Sequence, residues 1–185
     1  MDKNTIVVNL FAGPGAGKST GAAYIFAKLK MLGYDCEYVS EFAKDKFWEN
    51  NSEVFNSQFY ITGKSVFKIK RCCGKVDIII TDSPIALRAM YCKEDEQMLG
   101  LAILEEFRKY NNLNLFINRV KSYNPNGRHQ TIDEAVSIDE KTKGWLISNN
   151  IEFDTINGDE NGYNNAIRLI QDIFENQKNN TKSCE

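Results

Sequence analysis

The sequence predicts an α/β protein built on a doubly wound, mainly parallel sheet of five strands flanked by helices, and three observations carry that reading. Short apolar or β-branched runs alternate along the chain with longer stretches of helical periodicity. One run, "KVDIIIT" (residues 75–81), is continuous rather than alternating, as a strand covered on both faces would be. Finally, the glycine-rich and charged segments fall just after strands, at the end of the sheet where open α/β folds take their ligands.

The elements follow in order. "TIVVNLF" (residues 5–11) is a β-branched first strand that runs directly into a glycine-rich turn. Over residues 18–32, Ala22, Ile25, Phe26, Leu29 and Leu32 recur at helical spacing, and Gly33 closes the segment. "CEYVS" (residues 36–40) is the second strand. A mainly helical region covers residues 42–73, broken near 50–52, with Phe59, Val66 and Phe67 expected to pack inward. After the third strand at 75–81 comes an amphipathic helix around 97–110, then a fourth strand, "LNLFIN" (residues 113–118). A polar lid is expected at about 119–130. The next helix, about 131–149, has Ile132, Val136 and Trp145 among its apolar positions. "IEFDTI" (residues 151–156) is the fifth strand and 164–174 the final helix. One domain is expected over 1–176, followed by a frayed polar tail at 177–185.

Composition narrows the class. A chain of 185 residues with 42% hydrophobic and 26% charged residues suits one soluble globular domain. A net charge of −2 supplies no field that would draw in nucleic acid. The five cysteines are scattered without a C-x-x-C pair, and there is a single histidine, which argues against a structural zinc site and for free thiols in the cytoplasm. No apolar run reaches membrane-spanning length, and the N-terminal residues read as the entry to a strand rather than a signal peptide.

The chemistry begins at residues 12–19, Ala-Gly-Pro-Gly-Ala-Gly-Lys-Ser, which match the G-x-x-x-x-G-K-[ST] phosphate loop except that Ala12 replaces the first glycine. That position ends the strand, and alanine fits it if φ stays negative. Gly13, Gly15 and Gly17 remain to converge backbone N–H groups on phosphate, with the positive end of the following helix behind them. Gly13, Gly15, Ala16, Gly17, Lys18, Ser19 and Thr20 are therefore the expected ATP-binding residues of a P-loop NTPase. Lys18 would reach the outer phosphates, while Ser19 and Asp82, at the tip of the third strand, would hold Mg²⁺. Glu41, closing the second strand, is placed to take or orient the proton of an acceptor hydroxyl. Arg119 and Arg128 bracket the polar lid, where they could neutralise charge on a transferred phosphoryl group. Gln58 could read a base edge, and Gly158 in "INGDENG" could let the chain lie close against adenine.

With these residues in place, the chain resembles the small P-loop kinases of nucleosides and nucleotides. The loop, "EFAKDKFW" with Glu41 and Trp48, and "SQFY" look most like the deoxynucleoside kinases. That resemblance implies a sugar-hydroxyl contact for Glu41 and a nucleobase contact for Gln58. At "TDSP" (residues 81–84) those kinases usually carry Glu-Arg-Ser, and the arginine after the acid is absent here. The aspartate, the compact size and "NPNGRHQT" look more like the broader group of small P-loop ATPases, which includes the nicotinamide-riboside kinase domain and uncharacterised phage kinases.

The expected activity is ATP- and Mg²⁺-dependent phosphoryl transfer to a small acceptor, a nucleoside or a nucleoside monophosphate. A monophosphate would want extra cations, for which Lys44, Lys64 and Arg88 are candidates; a free nucleoside would need Glu41 as base. The rival readings are an acceptor-independent ATPase working with a partner, and a kinase of a polynucleotide end or modified base. A membrane or nucleic-acid partner is not expected, and a homodimer is left open.

Overall fold

The computed structural model describes residues 3–42, 46, 49, 52–123 and 131–182. Its strands are β1 (Ile6–Phe11), β2 (Cys36–Val39), β3 (Ile78–Thr81), β4 (Asn111–Asn118) and β5 (Asp154–Asn157). All five are parallel, in the spatial order β2-β3-β1-β4-β5. The chain starts in the centre of the sheet, winds to one edge and then to the other. The crevice at such a reversal opens beyond the carboxyl end of β1, where the phosphate loop begins.

The helices are α1 (Lys18–Met31), α2 (Gln58–Lys70), α3 (Ala86–Met90), α4 (Gln97–Arg108), α5 (Ile132–Ser148) and α6 (Glu160–Lys182), with short 3-10 turns at Ser52–Asn56 and Glu94–Glu96. Alternation along the strands sorts them into two layers. Ile6, Val8 and Leu10 of β1, Ile78 and Ile80 of β3, and Leu115 and Ile117 of β4 pack against Ala22, Ile25 and Leu29 of α1 and Ala166, Ile167 and Ile170 of α6. Val7, Phe11, Ile79 and Phe116 face the other way, under α2, α3, α4 and α5. The doubly wound sheet read from the sequence is the observed one.

Between β1 and β4 runs one polar contact. Asn9, 1% exposed, donates from Nδ2 to Oδ1 of Asn112 at 2.9 Å and of Asn114 at 3.1 Å. Among the described residues, no helix is long and apolar enough to cross a membrane.

Two expectations need correction, on α2 and α6, and the facing of α5 is set by residues the sequence did not single out. Phe59 and Phe67 are 76% and 65% exposed rather than inward. The phase of α2 is set by Ile61, Ser65 and Ile69, spaced one turn apart and buried, with Val66 only partly covered. On α5, Ile132 and Val136 lie on the open side, and the buried stripe is Ala135, Asp139, Thr142 and Leu146. Small and polar side chains suit that stripe because it packs beside the phosphate loop. Lastly, the final helix, expected over 164–174, is longer: α6 spans Glu160–Lys182. Phe174 packs edge-on against Tyr34 with ring centres 5.3 Å apart, and Lys178, one turn further along the same helix, lies over the Phe174 ring.

Candidate active site

Residues 12–17 cross from β1 to α1 as a tight turn. Gly15 and Gly17 have φ of 77° and 108°, the left-handed region that favours glycine. Among the described residues the only non-glycine with positive φ is Asn150, so Ala12 keeps the ordinary backbone its position demands. Gly17 caps α1 without a side-chain hydrogen bond, so no side chain at the cap competes with an anion for the first amides of the helix. Tyr163 of α6 braces the turn: its hydroxyl donates to Gly17 O at 3.1 Å, and it occupies the space a Cβ on Gly17 would need.

Lys18 folds back across the loop, donating from Nζ to Ala12 O at 2.7 Å and Gly13 O at 2.9 Å. The first position of the motif thus contributes a carbonyl, which alanine supplies as well as glycine. Burial lowers the pKa of the Lys18 ammonium, outweighing the upward pull of Glu41, Asp82 and Asp139. Thr20 follows on the exposed first turn of α1, and Ala16 is buried within the loop.

Ser19 and Asp82 meet. Ser19 Oγ donates to Asp82 Oδ2 at 2.6 Å, while Asp82 Oδ1 is buried without a hydrogen-bond partner among the described residues. A hydroxyl oxygen beside a carboxylate with a spare oxygen is a donor set that suits a hard cation such as Mg²⁺. Tyr38 lies nearby, its hydroxyl pKa pushed up by burial and then by the charge of Asp82.

Glu41 stands just past β2, its side chain 34% exposed. Its Oε1 accepts from Nη2 of Arg88 at 3.1 Å, and the same nitrogen donates to Ser83 Oγ at 2.6 Å. Arg88 is 7% exposed, and its Nε has no hydrogen-bond partner among the described residues. An arginine from α3 therefore sits against Glu41, although none follows Asp82 directly. Lys64, the other described candidate cation, lies over the Tyr60 ring. Gln58 begins α2, with its Oε1 buried and unpartnered. Phe42 packs against Tyr60 at 5.7 Å, tying the chain after Glu41 to the same helix.

Arg119 follows β4 and lies against the loop. Its Nε and Nη2 donate to Asp139 Oδ2 at 3.1 and 2.9 Å, and Nη2 also reaches Pro14 O at 2.8 Å. Gly158 makes its close approach to the loop itself, where an added Cβ would lie 2.5 Å from Ala16 O and 3.1 Å from Asn118 O. The fold thus gathers Lys18, Ser19, Glu41, Asp82 and Arg119 at one end of the sheet. Arg128, Lys44 and Trp48 lie outside the described residues, as does most of the expected lid.

Asp139 and Tyr163 were not singled out from the sequence. Asp139 had a signal: an acid four residues after Ala135 and seven before Leu146 sits on a buried helical stripe, where a carboxylate needs a partner. Tyr163 had none, because its target is a backbone carbonyl.

A solved structure of NadR protein in complex with NR aligns with a TM-score of 0.64 at 16% identity, covering 91% of this chain and 51% of that one. The two share a fold, the all-parallel α/β sheet flanked by helices described above. A second structure, of APE1195, aligns with a TM-score of 0.50 at 15% identity over 95% of this chain and 97% of the other. Identities this low carry the fold and not the substrate. This chain spans about half the length of the NadR chain it matches. No family model matches the sequence, and no curated protein matches it.

Proposed function

We propose that the protein is a kinase that moves the terminal phosphoryl group of Mg²⁺-bound ATP to a hydroxyl of a nucleoside or nucleoside monophosphate. The observation that carries the reading is the pairing of two sites at one sheet end: Lys18 with Ser19 and Asp82, and beside them Glu41 held by Arg88. The charges of both Glu41 and Asp82 pull the Lys18 pKa up against the effect of burial, which supports the reading of one shared site.

The division of labour follows from the side chains. The loop amides and Lys18 would bind the phosphates, and Ser19 and Asp82 would hold Mg²⁺, which supplies charge neutralisation and alignment. Arg88 fixes the Glu41 carboxylate so that its other oxygen can take or orient the acceptor hydroxyl proton. The acceptor oxygen then bonds to phosphorus as the bond from phosphorus to the bridging oxygen breaks, leaving ADP. Arg119, and Arg128 from the lid segment, would offset the charge that spreads over the phosphoryl oxygens. Gln58, with an unpartnered buried carbonyl oxygen, would accept a hydrogen bond from a base edge. Gly158 would bring the turn after β5 close to adenine.

Glu41→Gln keeps an acceptor for Arg88 but no base. It should nearly abolish phosphoryl transfer across a panel of nucleosides and monophosphates while ATP binding stays intact; near-wild-type turnover would sink the assignment. ATP consumption that needs no acceptor would favour the hydrolytic rival instead.

A further inference from the structure

Asp139 has no part in the scheme above, yet it joins three segments of the site. Its Oδ1 accepts from the Gly13 amide of the phosphate loop, and its Oδ2 from Nε and Nη2 of Arg119 at the exit of β4. The carboxylate itself comes from the middle of α5. Both side chains of the pair are only 11% exposed, so neither charge is well hydrated. A buried ion pair of this kind is weak support for stability, since an apolar residue on the same helical stripe would avoid the desolvation.

The pair does fix the orientation of Arg119. With Nε and Nη2 committed to Asp139 and Pro14, the remaining nitrogen, Nη1, is buried and has no hydrogen-bond partner among the described residues. It lies beside the loop, 3.3 Å from where a Cβ on Gly15 would stand, and the Tyr123 ring packs over the same glycine. A guanidinium is rigid and planar, so anchoring one edge determines where the other points. A buried donor without an acceptor is costly in the ligand-free chain and would be relieved by an anion in the loop.

We propose that Asp139 is a positioning residue that clamps Arg119 against the phosphate loop and presents Nη1 to the phosphoryl oxygens of a bound nucleotide. The proposal rests on the reading that the loop binds a nucleoside triphosphate. It assigns Asp139 to no contact with the nucleotide: its effect passes through Arg119.

The test is a double-mutant cycle on the full chain, read as affinity for Mg²⁺ with the nonhydrolysable analogue AMP-PNP by calorimetry. Asp139→Asn keeps an oxygen for the Gly13 amide but removes the charge facing Arg119. It should weaken binding by about tenfold or more, as loss of a charge-assisted contact does. Arg119→Ala should weaken it at least as much, and the double variant should bind no more weakly than Arg119→Ala alone. Arg119→Lys, which keeps the charge without the fork, should also lose affinity with Asp139 intact. Additive losses in the cycle, wild-type affinity in Asp139→Asn, or wild-type affinity in Arg119→Lys would each overturn the proposal. Wild-type protein that fails to bind AMP-PNP would overturn the underlying nucleotide reading as well, which separates the two failures.

Discussion

Replacing Gly158 by alanine adds one methyl group at the point where the turn after β5 meets the phosphate loop. That methyl would lie 2.5 Å from Ala16 O, 3.1 Å from Asn118 O and 3.1 Å from Ile117 Cγ2. Ordinary contact begins at 3.4 Å, so the turn or the loop must retreat by roughly 0.9 Å. Two of the three neighbours are backbone, and Gly158 N also donates to Asn118 O at 2.9 Å, so neither side yields easily. Overpacking of this kind costs about 1–3 kcal/mol, a fall in Tm of roughly 2–12 °C for a chain of this size. A loop amide displaced by about 1 Å could cost on the order of a hundredfold in transfer rate, because misplacement by that distance spoils alignment. Gly63 and Gly144 are the controls: both are helical and a Cβ on either meets nothing within 4 Å. Alanine there should stabilise by about 0.5–1 kcal/mol. The assay is thermal unfolding with and without Mg²⁺ADP, followed by calorimetry. Gly158→Ala protein that melts with the wild type and binds Mg²⁺ADP as tightly would refute the reasoning.

Further outcomes follow from the same geometry. Lys18→Met removes an ammonium whose pKa burial lowers, so the ligand-free variant should melt at or above the wild-type temperature near neutral pH while losing its Mg²⁺ADP thermal shift. The sign is that of a desolvated base: the penalty is present below the depressed folded pKa and fades as pH rises towards 10.5, so the advantage of the variant should shrink in alkaline buffer. Asp82→Asn should make nucleotide affinity insensitive to Mg²⁺, checked by titrating Mg²⁺ at fixed AMP-PNP; an unchanged Mg²⁺ dependence would remove Asp82 from the metal site. On the far side of the sheet, burial pushes the Glu106 carboxyl up, but hydrogen bonds from Lys70, Lys109 and Tyr110 outweigh it and hold the pKa at about 2. Its contribution is therefore complete above pH 4.5 and lost as pH falls through about 2. Glu106→Gln should cost about 1 kcal/mol at pH 7, reduced by solvent screening, and the gap to wild type should close in that acid window.

What the sequence revealed depended on whether the signal was local. β1, the loop and α1 share one stretch of chain, so their order and chemistry could be read together. Ser19 and Asp82 are far apart in sequence, but each marks its own strand end, and a parallel sheet brings such ends together. Helix facing was harder. Phe59 and Phe67 are apolar enough to suggest a core, yet α2 turns Ile61, Ser65 and Ile69 inward, since the packing partner sets the phase. The Arg88 contact with Glu41 was the least legible, because it spans two elements far apart in the sequence. The end of α6 was set too early because the residues after Phe174 carry no apolar periodicity, while a helix can continue on its own backbone hydrogen bonds.

The asparagine contact between β1 and β4 bears on how reproducibly the site assembles. The apolar side chains of neighbouring strands would tolerate sliding by two residues, which returns every side chain to its own face. Asn9 would not. In the native register it holds both Asn112 and Asn114. A two-residue slip in either direction would leave it one asparagine, and a single-residue slip would oppose it to leucines, leaving its amide only the Val7 carbonyl of its own strand in a dry interior. The rung acts as a vernier between the two strands. Because β1 leads into Ala12 and β4 into Arg119, it sets the relative height at which the phosphate loop and its arginine leave the sheet.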